Sequence, residues 1–567
     1  IKVHKVTKSK TAAKSGEQEM LSKSYIAALR QTSVPARTIP DSLQHWADEA
    51  PDAQAFIFLS ADFKKLSVTW KELNERSREF GKRLIQFGVR SGDTIALSVP
   101  NRPEWLYLAF GSVIAGAIPI SITFSFADGS DVLAILTKLE KCSTFILDPS
   151  PDGRTWDILK TFIDSFSPDG SVKSMKIPSL QRLMLISGPK SNDRILLLDD
   201  FLKSDVSKID SPKIEPEHIA FLIQTSGTTG VPKAVAHTHR SLMSAGLHWA
   251  SFFTHKDKHY CDRSFGWTGG FPYNILITGE TRLTRSNMAD KVDAAEFILE
   301  VVRREKCTIL TALPPVLHSM LSKKGQDDFQ LEAIITAGQP LSGHASAVVG
   351  SLCRRLTLFY AGTETFLVSA KVIDENNIDD PYSSGRPQEG VEIKIVNDSD
   401  EIVPIGVQGE IYVRSSSVFL KYYNDEEKTN SVKRENGWYK TGDVGFMNEA
   451  GEITVLGRKS DMMISGGVNV MPSVIENILK THPCVMDVCV VPIPDFVMFQ
   501  VVCACVIPFT SADKAELEES LRKFCEAHLF TVIPKYYIFV DSFPQASTGN
   551  IDRKALSIRA QEQLGMS

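Results

Sequence analysis

The chain has 567 residues, with 63 Lys and Arg against 68 Asp and Glu, so its formal net charge at pH 7 is −5. A hydrophobic fraction of 43% and a charged fraction of 23% exclude a disordered, collagenous or coiled-coil protein, and the length predicts about two to four folded units. The mildly acidic balance without a dominant basic block also argues against nucleic acid as the main partner.

The cysteine pattern bears on the compartment. The nine cysteines form no CxxC pair, and Cys503 and Cys505 alternate within an apolar run, as on one face of a strand. This pattern favours reduced thiols in an intracellular protein over a disulfide framework or a zinc site. Cytoplasm, mitochondrion and peroxisome all stay open.

One apolar stretch is long enough to span a membrane. Residues 105–127 carry no charged side chain, and a span needs about 20 such residues. Gly111, Gly116 and Pro119 interrupt the stretch, however, which predicts a buried helix, a turn and a buried strand near Ile118. We therefore expect no transmembrane segment, and a peripheral membrane contact stays open.

The order of the predicted elements indicates an α/β protein. Thr69 and Glu72 form a helix-start signature, and strand and helix signals then alternate through residues 94–147, which predicts a parallel sheet covered on both faces. Residues 149–215 look peripheral, and 385–455 are rich in short strands. In the last 110 or so residues the pattern predicts a helix near 474–480, strands at 485–491 and 501–507, a helix at 513–528 and a strand near 536–540.

We expect a large N-terminal lobe of parallel sheets sandwiched by helices plus a β-rich subdomain, and a small mobile α+β C-terminal lobe. Residues 1–35 are expected to form a poorly ordered extension.

A segment rich in glycine and hydroxyl groups follows an apolar strand at 219–223. It consists of Thr225, Ser226, Gly227, Thr228, Thr229 and Gly230, and Lys233 ends it. Such a loop offers N–H and O–H donors to phosphate oxygens. Pro232 stands where a Walker loop needs its second glycine, so a Walker-type NTPase is not supported. A flexible linker is the alternative interpretation of this composition.

This loop resembles the phosphate-binding signature of the adenylate-forming superfamily, which includes acyl-CoA synthetases, 4-coumarate–CoA ligases and beetle luciferases. Four more motifs follow in the family's order over nearly the whole chain, most like an animal-type acyl-CoA synthetase. They are Gly338-Gln339-Pro340-Leu341, Tyr360-Ala361-Gly362-Thr363-Glu364, Trp438-Tyr439-Lys440-Thr441-Gly442-Asp443, and Gly457-Arg458-Lys459-Ser460-Asp461 running on to Gly466-Gly467. The resemblance implies an adenylation domain at 36–458 and a small C-terminal domain at 459–567.

The resemblance also implies roles for individual residues. Tyr360 would stack on adenine, Asp443 would accept the ribose hydroxyls and Glu364 would hold Mg²⁺. The implied catalytic residues are Thr225, Lys233, Thr363, Glu364 and Asn550. The implied cofactor-binding residues are Ser226, Gly227, Thr228, Thr229, Gly230, Gly338, Gln339, Pro340, Tyr360, Ala361, Asp443, Arg458, Gly466 and Gly467. Trp267 and Gly362 would line the acyl pocket.

Two further patterns have competing interpretations. The aromatic–glycine stretch at 265–271 suits an apolar slot for an acyl chain, and ordinary core packing explains it nearly as well. His237 and His239 have a spacing that invites a metal site, but no carboxylate or cysteine accompanies them, which favours an incidental pair.

One motif departs from the family. Its C-terminal segment carries a lysine that reaches the α-phosphate during adenylation, and Asn550 stands in that place here. Loss of one such preorganised donor costs roughly 10²–10³ in rate. Lys554 could reach back in its stead.

The resemblance therefore predicts an ATP-dependent acid–CoA ligase that uses Mg²⁺, adenylates a fatty or aryl carboxylic acid and passes the acyl group to CoA. The first alternative is a nucleotide- or acyl-adenylate-binding protein with weak or no ligase activity, because of Asn550. The second is a luciferase-like adenylating oxygenase. The sequence leaves the acid and the oligomeric state open.

Overall fold

The computed structural model describes most of the chain. The described residues are 22–29, 33–124, 128–149, 153–189, 193–225, 233–286, 292–325, 329–337, 345–377, 383–465, 468–509, 514–529, 532–545 and 551–566.

Helices and strands alternate through the first part of the large lobe. These elements are β1 (Tyr25–Ala27), α1 (Ile39–Glu49), β2 (Gln54–Leu59), β3 (Lys65–Thr69), α2 (Trp70–Gln86), β4 (Thr94–Ser98), α3 (Pro103–Ile114), β5 (Ile118–Ser121), α4 (Ser130–Lys138), β6 (Cys142–Leu147), α5 (Arg154–Lys160), β7 (Ser165–Phe166), β8 (Val172–Lys173), β9 (Arg182–Leu185), α6 (Leu198–Phe201) and β10 (Ile219–Thr225).

The rest of the large lobe passes from alternating elements to a β-rich region. These elements are β11 (Lys233–Thr238), α7 (His239–Trp249), β12 (Lys258–Tyr260), α8 (Ile275–Thr278), β13 (Thr281–Arg285), α9 (Ala294–Glu305), β14 (Ile309–Thr311), α10 (Pro314–Lys323), β15 (Leu331–Ala337), α11 (Ala345–Ser351), β16 (Cys353–Gly362), β17 (Phe366–Ile373), β18 (Arg386–Pro387), β19 (Val391–Val396), β20 (Gly409–Ser415), β21 (Lys421–Tyr422), α12 (Glu426–Val432), β22 (Tyr439–Met447) and β23 (Ile453–Arg458).

The small lobe combines a sheet with three helices among the described residues. Its elements are β24 (Met463–Ser465), β25 (Val468–Val470), α13 (Pro472–Leu479), β26 (Val485–Asp495), β27 (Phe499–Pro508), α14 (Lys514–His528), β28 (Tyr536–Phe539) and α15 (Arg553–Gln563). The helices and strands predicted for residues 474–540 are all found, with ends within a few residues of those expected. Helix α15 is not anticipated by the sequence analysis.

Two large sheets form the main lobe, and a third forms the β-rich subdomain. One large sheet runs in the order β21-β11-β10-β5-β4-β6-β9 and the other in the order β18-β17-β16-β15-β14-β12-β13-β2-β3. Within them β4, β5, β6 and β9 pair in parallel, as do β12 to β16. The subdomain sheet runs β1-β19-β20-β22-β23. The predicted α/β fold class is thus confirmed.

The close approach of α2 and α3 fixes the layer between the sheets. Thr69 caps α2 by accepting from the Glu72 N–H at 3.2 Å, as its sequence signature predicts. Gly81 and Gly111 face each other, and a Cβ on Gly81 would lie 2.8 Å from the Gly111 carbonyl oxygen. Glycine is therefore required at this crossing, because any side chain would separate the helices.

The long apolar stretch folds inside the large lobe. It forms α3, a turn and β5, as predicted, and Trp105 and Ile120 are almost completely buried. Among the described residues, no helix is both long and apolar enough to cross a membrane.

One short segment of residues 1–35, the expected N-terminal extension, joins the sheet of the β-rich subdomain. Strand β1 pairs antiparallel with β19, with Tyr25 opposite Lys394. The Tyr25 hydroxyl donates to Glu392 at 2.9 Å, and its ring meets the Trp438 ring edge-on at a centroid distance of 6.4 Å. These contacts between distant parts of the chain give a three-residue strand a fixed place at the edge of the subdomain.

Candidate active site

The phosphate-loop motif joins two paired strands. Thr225 ends β10, Lys233 begins β11, and the two residues are partners in the antiparallel ladder. Ser226, Gly227, Thr228, Thr229 and Gly230 lie between them, outside the described residues. The Lys233 ammonium lies 5.1 Å from the centroid of the Tyr422 ring, and burial, followed by the charge of Lys428, lowers its pKa. A cation is therefore held at the end of this loop.

The Tyr360-to-Glu364 motif forms a tight connection between β16 and β17. Tyr360, Ala361 and Gly362 end β16, and Thr363 and Glu364 occupy the turn before Phe366. Phe366 has a φ of 55°, in the left-handed region that non-glycine residues seldom adopt, so the turn is strained. The neighbouring strand β15 ends at Ala337, and Gly338, Gln339 and Pro340, which follow it, lie outside the described residues.

Asp443 connects three sequence motifs. Its carboxylate accepts from the Tyr360 hydroxyl at 2.6 Å and pairs with Arg458 Nε at 3.0 Å. Arg458 also donates to the Thr441 carbonyl at 2.7 Å, because Asp443 and Arg458 face each other in the β22–β23 ladder. Burial raises the pKa of Asp443, and the charge of Arg458 opposes this rise. The cluster places an aromatic ring, a carboxylate and a guanidinium side by side, three groups that are chemically able to stack on a base and to bond to a sugar.

Glu364 has a partner that the sequence analysis does not identify. The Tyr422 hydroxyl donates to Glu364 Oε1 at 2.7 Å, and the Lys233 ammonium lies over the ring of the same tyrosine. Tyr422 therefore fixes one carboxylate oxygen of Glu364 and leaves the other oxygen available. In the sequence, Tyr422 is marked only by its place in a Tyr-Tyr pair 58 residues after Glu364, which gives no indication of this contact.

Thr363 is held from two sides. Its hydroxyl bonds with that of Thr268 at 2.8 Å, and its carbonyl lies 2.8 Å from His237 Nε2. The first contact brings Trp267, the residue before Thr268, towards Gly362, the residue before Thr363, so the two predicted pocket residues belong to neighbouring segments. Burial lowers the pKa of His237 to about 4, which keeps its imidazole neutral at pH 7.

His237, His239 and part of the aromatic–glycine stretch at 265–271 are buried in the core of the large lobe. His239 Nδ1 accepts from the Ile39 N–H at 3.1 Å, and within the described residues no group of three or more His, Cys, Asp or Glu side chains could hold a metal. Phe265 is buried among Trp105, Phe56 and other aromatic rings, whereas Trp267 is partly exposed. Phe271, at the other end of the stretch, is also buried against Phe221, so core packing accounts for both ends and only its middle lies beside Thr363.

The residues of the candidate site suit a Mg²⁺ ion that is bound by a protein carboxylate together with phosphate oxygens of a nucleotide. Mg²⁺ is held by one or two carboxylates together with substrate phosphates rather than by an all-protein cage. Glu364 supplies a carboxylate with one oxygen oriented by Tyr422, the tyrosine whose ring also lies against Lys233. The donor set thus suits a metal that arrives with a nucleotide.

The small-lobe residues of the predicted site are only partly described. Gly466, Gly467 and Asn550 lie outside the described residues. Lys554 is exposed on the first turn of α15, whereas its neighbour Arg553 binds the Glu476 carboxylate through two nitrogens, at 2.5 and 3.1 Å. Arg553 thus ties the start of α15 to α13, a contact that the sequence alone did not reveal.

Comparisons with known proteins match both lobes. The sequence model of the family described as AMP-binding enzyme matches residues 43–423, and that of the AMP-binding enzyme C-terminal domain matches residues 474–550. The chain is 27% identical over 580 residues to the medium-chain acyl-CoA ligase ACSF2, mitochondrial, of Danio rerio, covering 96% of this chain and 92% of that protein. It is 24% identical over 578 residues to the Homo sapiens protein of the same name, covering 96% and 91%.

Solved structures share the fold. A crystal structure of the anthranilate CoA ligase AuaEII in complex with anthranoyl-AMP superposes with a TM-score of 0.79 at 22% identity, covering 94% of this chain and 99% of that one. ATP-bound MatB from Rhodopseudomonas palustris gives a TM-score of 0.75 at 22% identity, covering 93% and 100%. The resemblance inferred from the five motifs is confirmed: the chain belongs to the family of AMP-binding enzymes and has the two-lobe fold of the adenylate-forming enzymes.

Proposed function

We propose that this protein is an ATP-dependent acid–CoA ligase of the acyl-CoA synthetase type. In the first step a carboxylate oxygen of the acid attacks the α-phosphate of ATP, the bond to the β-phosphate breaks, and pyrophosphate leaves. In the second step the CoA thiol gives up its proton to solvent, its sulfur attacks the acyl carbon, and AMP leaves with the electron pair of the acyl–oxygen bond. The contact of Asp443 with Tyr360 and Arg458 is the observation that carries the proposal, because it joins nucleoside-binding groups from three motifs in one place.

Each residue has a task in this proposal. Asp443 accepts the ribose hydroxyls, Tyr360 stacks on adenine, and Lys233 offsets negative charge at the end of the phosphate loop. Thr363, held by Thr268 and His237, directs its hydroxyl to the α-phosphate. Glu364 would hold Mg²⁺, which supplies counter-charge to the triphosphate when bound.

The acid is proposed to be an apolar carboxylic acid of the fatty type. Trp267 and Gly362 lie on the segments joined by the Thr268–Thr363 bond, so an apolar slot beside the α-phosphate position would open there. The named relatives are medium-chain acyl-CoA ligases of mitochondria, which supports a medium-chain acid and the same compartment.

A second candidate function follows from Asn550. A neutral amide cannot supply the cation that adenylation uses, so the protein would bind nucleotide or acyl-adenylate and turn over slowly. The discriminating experiment measures pyrophosphate release from ATP with a panel of fatty acids of increasing length, and compares the chain with its Asn550→Lys variant.

If the protein is a ligase, we expect pyrophosphate release that depends on the acid and thioester formation when CoA is added. The rate of pyrophosphate release should increase at most about 10²–10³-fold in Asn550→Lys. ATP binding without pyrophosphate from any acid, together with turnover in Asn550→Lys, would establish the binding protein instead. A preformed acyl-adenylate mixed with CoA then reports whether the second step proceeds on its own.

A further inference from the structure

The tip of the β26–β27 hairpin exposes a run of apolar side chains. Phe496, Val497, Met498 and Phe499 have relative exposures of 105%, 85%, 40% and 67%. We call these four residues the apolar tip. Elsewhere among the described residues, exposed large apolar side chains occur singly along the sequence. Isolated exposed residues of this kind are ordinary, whereas a contiguous run marks a contact surface.

The backbone of the apolar tip is hydrogen-bonded to Asp495 and strained at Phe499. The Asp495 carboxylate accepts from the N–H groups of Val497 and Met498, each at 3.0 Å, and Lys535 pairs with the same carboxylate at 2.9 Å. Phe499 has a φ of 65°, where glycine would be relaxed and a phenylalanine is strained. An exposed phenylalanine in this conformation costs the isolated fold free energy, as expected for a side chain that is retained for a contact.

Neighbouring strands continue the apolar surface. Ser465 of β24 pairs with Phe499, and Ile464 and Val468, on the β24–β25 hairpin, are also exposed, at 41% and 45%. No charged residue occurs in the sequence between Asp495 and Asp513. The apolar tip and the exposed Ile464 and Val468 of the adjoining hairpin therefore form one exposed apolar region of the small lobe.

We propose that the apolar tip inserts into the surface of a lipid bilayer and docks the small lobe on the membrane. A second copy of the chain is a poorer occupant, because a stable interface buries about 800 Å² on each partner and four side chains at a projecting turn offer less. A lipid surface needs no complementary shape, and aromatic rings are favoured at its interface. The proposal goes beyond the ligase function and also suits it, since an apolar acid partitions into the same bilayer.

The test measures binding of the full chain to phosphatidylcholine vesicles by co-sedimentation, without ATP, acid or CoA, so its outcome is independent of catalysis. The variant Phe496→Ser/Phe499→Gly removes both rings, and its second change relieves the strained φ, so folding is preserved. Met175→Ser is the matched control, because Met175 is 84% exposed in the large lobe. We expect the double variant to lower the partition coefficient at least about tenfold, since burying even half of each ring contributes a factor of that order.

Two further measurements separate lipid from other partners. Phe496→Trp placed in vesicles with brominated acyl chains should lose fluorescence beyond the quenching seen in the parent chain. Binding should also persist at high salt and need no anionic lipid, because the apolar tip carries no cation.

Three results would overturn the proposal. The first is equal vesicle binding by the parent chain and the double variant. The second is a concentration-dependent dimer that the double variant abolishes. The third is a raised KM for CoA in the double variant with vesicle binding unchanged, which would assign the apolar tip to the thiol substrate.

Discussion

The hydroxyl of Tyr360 and the carboxylate of Asp443 meet at 2.6 Å, although 83 residues separate them in the chain. Tyr360 comes from the end of β16 in the nine-stranded mixed sheet, and Asp443 comes from β22 in the β-rich subdomain. The hydrogen bond thus connects two separately formed sheets at the position proposed for the nucleoside.

Asp443→Asn should weaken nucleotide binding. The amide loses the ion pair with Arg458 and one of the acceptors for ribose, and a hydrogen bond to a charged group contributes roughly 1.5–3 kcal/mol, so the Kd for AMP should rise about ten- to hundredfold. Isothermal titration calorimetry measures this Kd for AMP. Asp398→Asn is the control, because Asp398 is an exposed residue of the same subdomain that pairs with Lys459. Equal affinity in both variants would exclude Asp443 from the site.

Tyr422→Phe should raise the Mg²⁺ requirement. The ring that lies under Lys233 is kept, but Glu364 loses its donor and becomes free to rotate. We expect the Mg²⁺ concentration for half-maximal pyrophosphate release to rise about tenfold or more, because the lost hydrogen bond involves a charged acceptor. Calorimetry of ATP binding with and without Mg²⁺ gives a second readout. Tyr423→Phe is the neighbouring control, since Tyr423 packs in a different core. A larger effect from Tyr423 would contradict the assignment.

Arg553→Ala should destabilise the small lobe. Glu476 is almost completely buried and also accepts from the Val490 N–H at 2.7 Å, so the variant leaves a buried carboxylate without its cation. The free energy of unfolding in urea should fall by roughly 3 kcal/mol, the lower end for a broken buried pair because Arg553 is partly exposed. Lys554→Ala, on the exposed side of the same turn, should leave the unfolding curve unchanged. Similar losses in both would refute this role of the Arg553–Glu476 pair.

Acid should destabilise the large lobe through its buried histidines. Burial lowers the pKa of His237 to about 4, of His239 to about 3 and of His259 to about 4. Each is neutral in the folded state and takes up a proton more readily when unfolded, near pH 6.5. The free energy of unfolding should therefore be constant above about pH 7 and fall as the pH drops from 6.5 towards 4. Urea titrations over this range measure the slope, and a rise in stability towards pH 4 would contradict it.

Much of the fold follows from local patterns. The interrupted apolar stretch gave α3 and β5 because its glycines and proline mark the turn between two buried elements. Helix α15 was not anticipated because it buries little, with only Leu556 and Ala560 fully covered among its residues, so it carries a weak periodic signal. Strand β1 is three residues long, and its partner lies more than 360 residues away, so no local pattern could identify it.

For the candidate site, too, some residues were predicted from the sequence and others were not. Motif order identified Tyr360, Asp443, Arg458 and Glu364, because each has a chemistry suited to a nucleotide. The partners Tyr422, Thr268 and Arg553 went unnoticed, since a tyrosine, a threonine or an arginine acquires such a task only when the chain brings it against a particular neighbour. Sequence reasoning thus identified the groups proposed to touch the nucleotide better than the groups that orient them.

Strand β1 has a practical consequence for anyone who shortens the protein. It covers the outer edge of β19, and an uncovered strand edge is a template for aggregation. Because the Tyr25 ring also rests on Trp438, which directly precedes β22, starting the chain after residue 35 would loosen the support of the strand that carries Asp443. Expression trials should therefore keep Tyr25–Ala27, even though the matched family region begins only at residue 43.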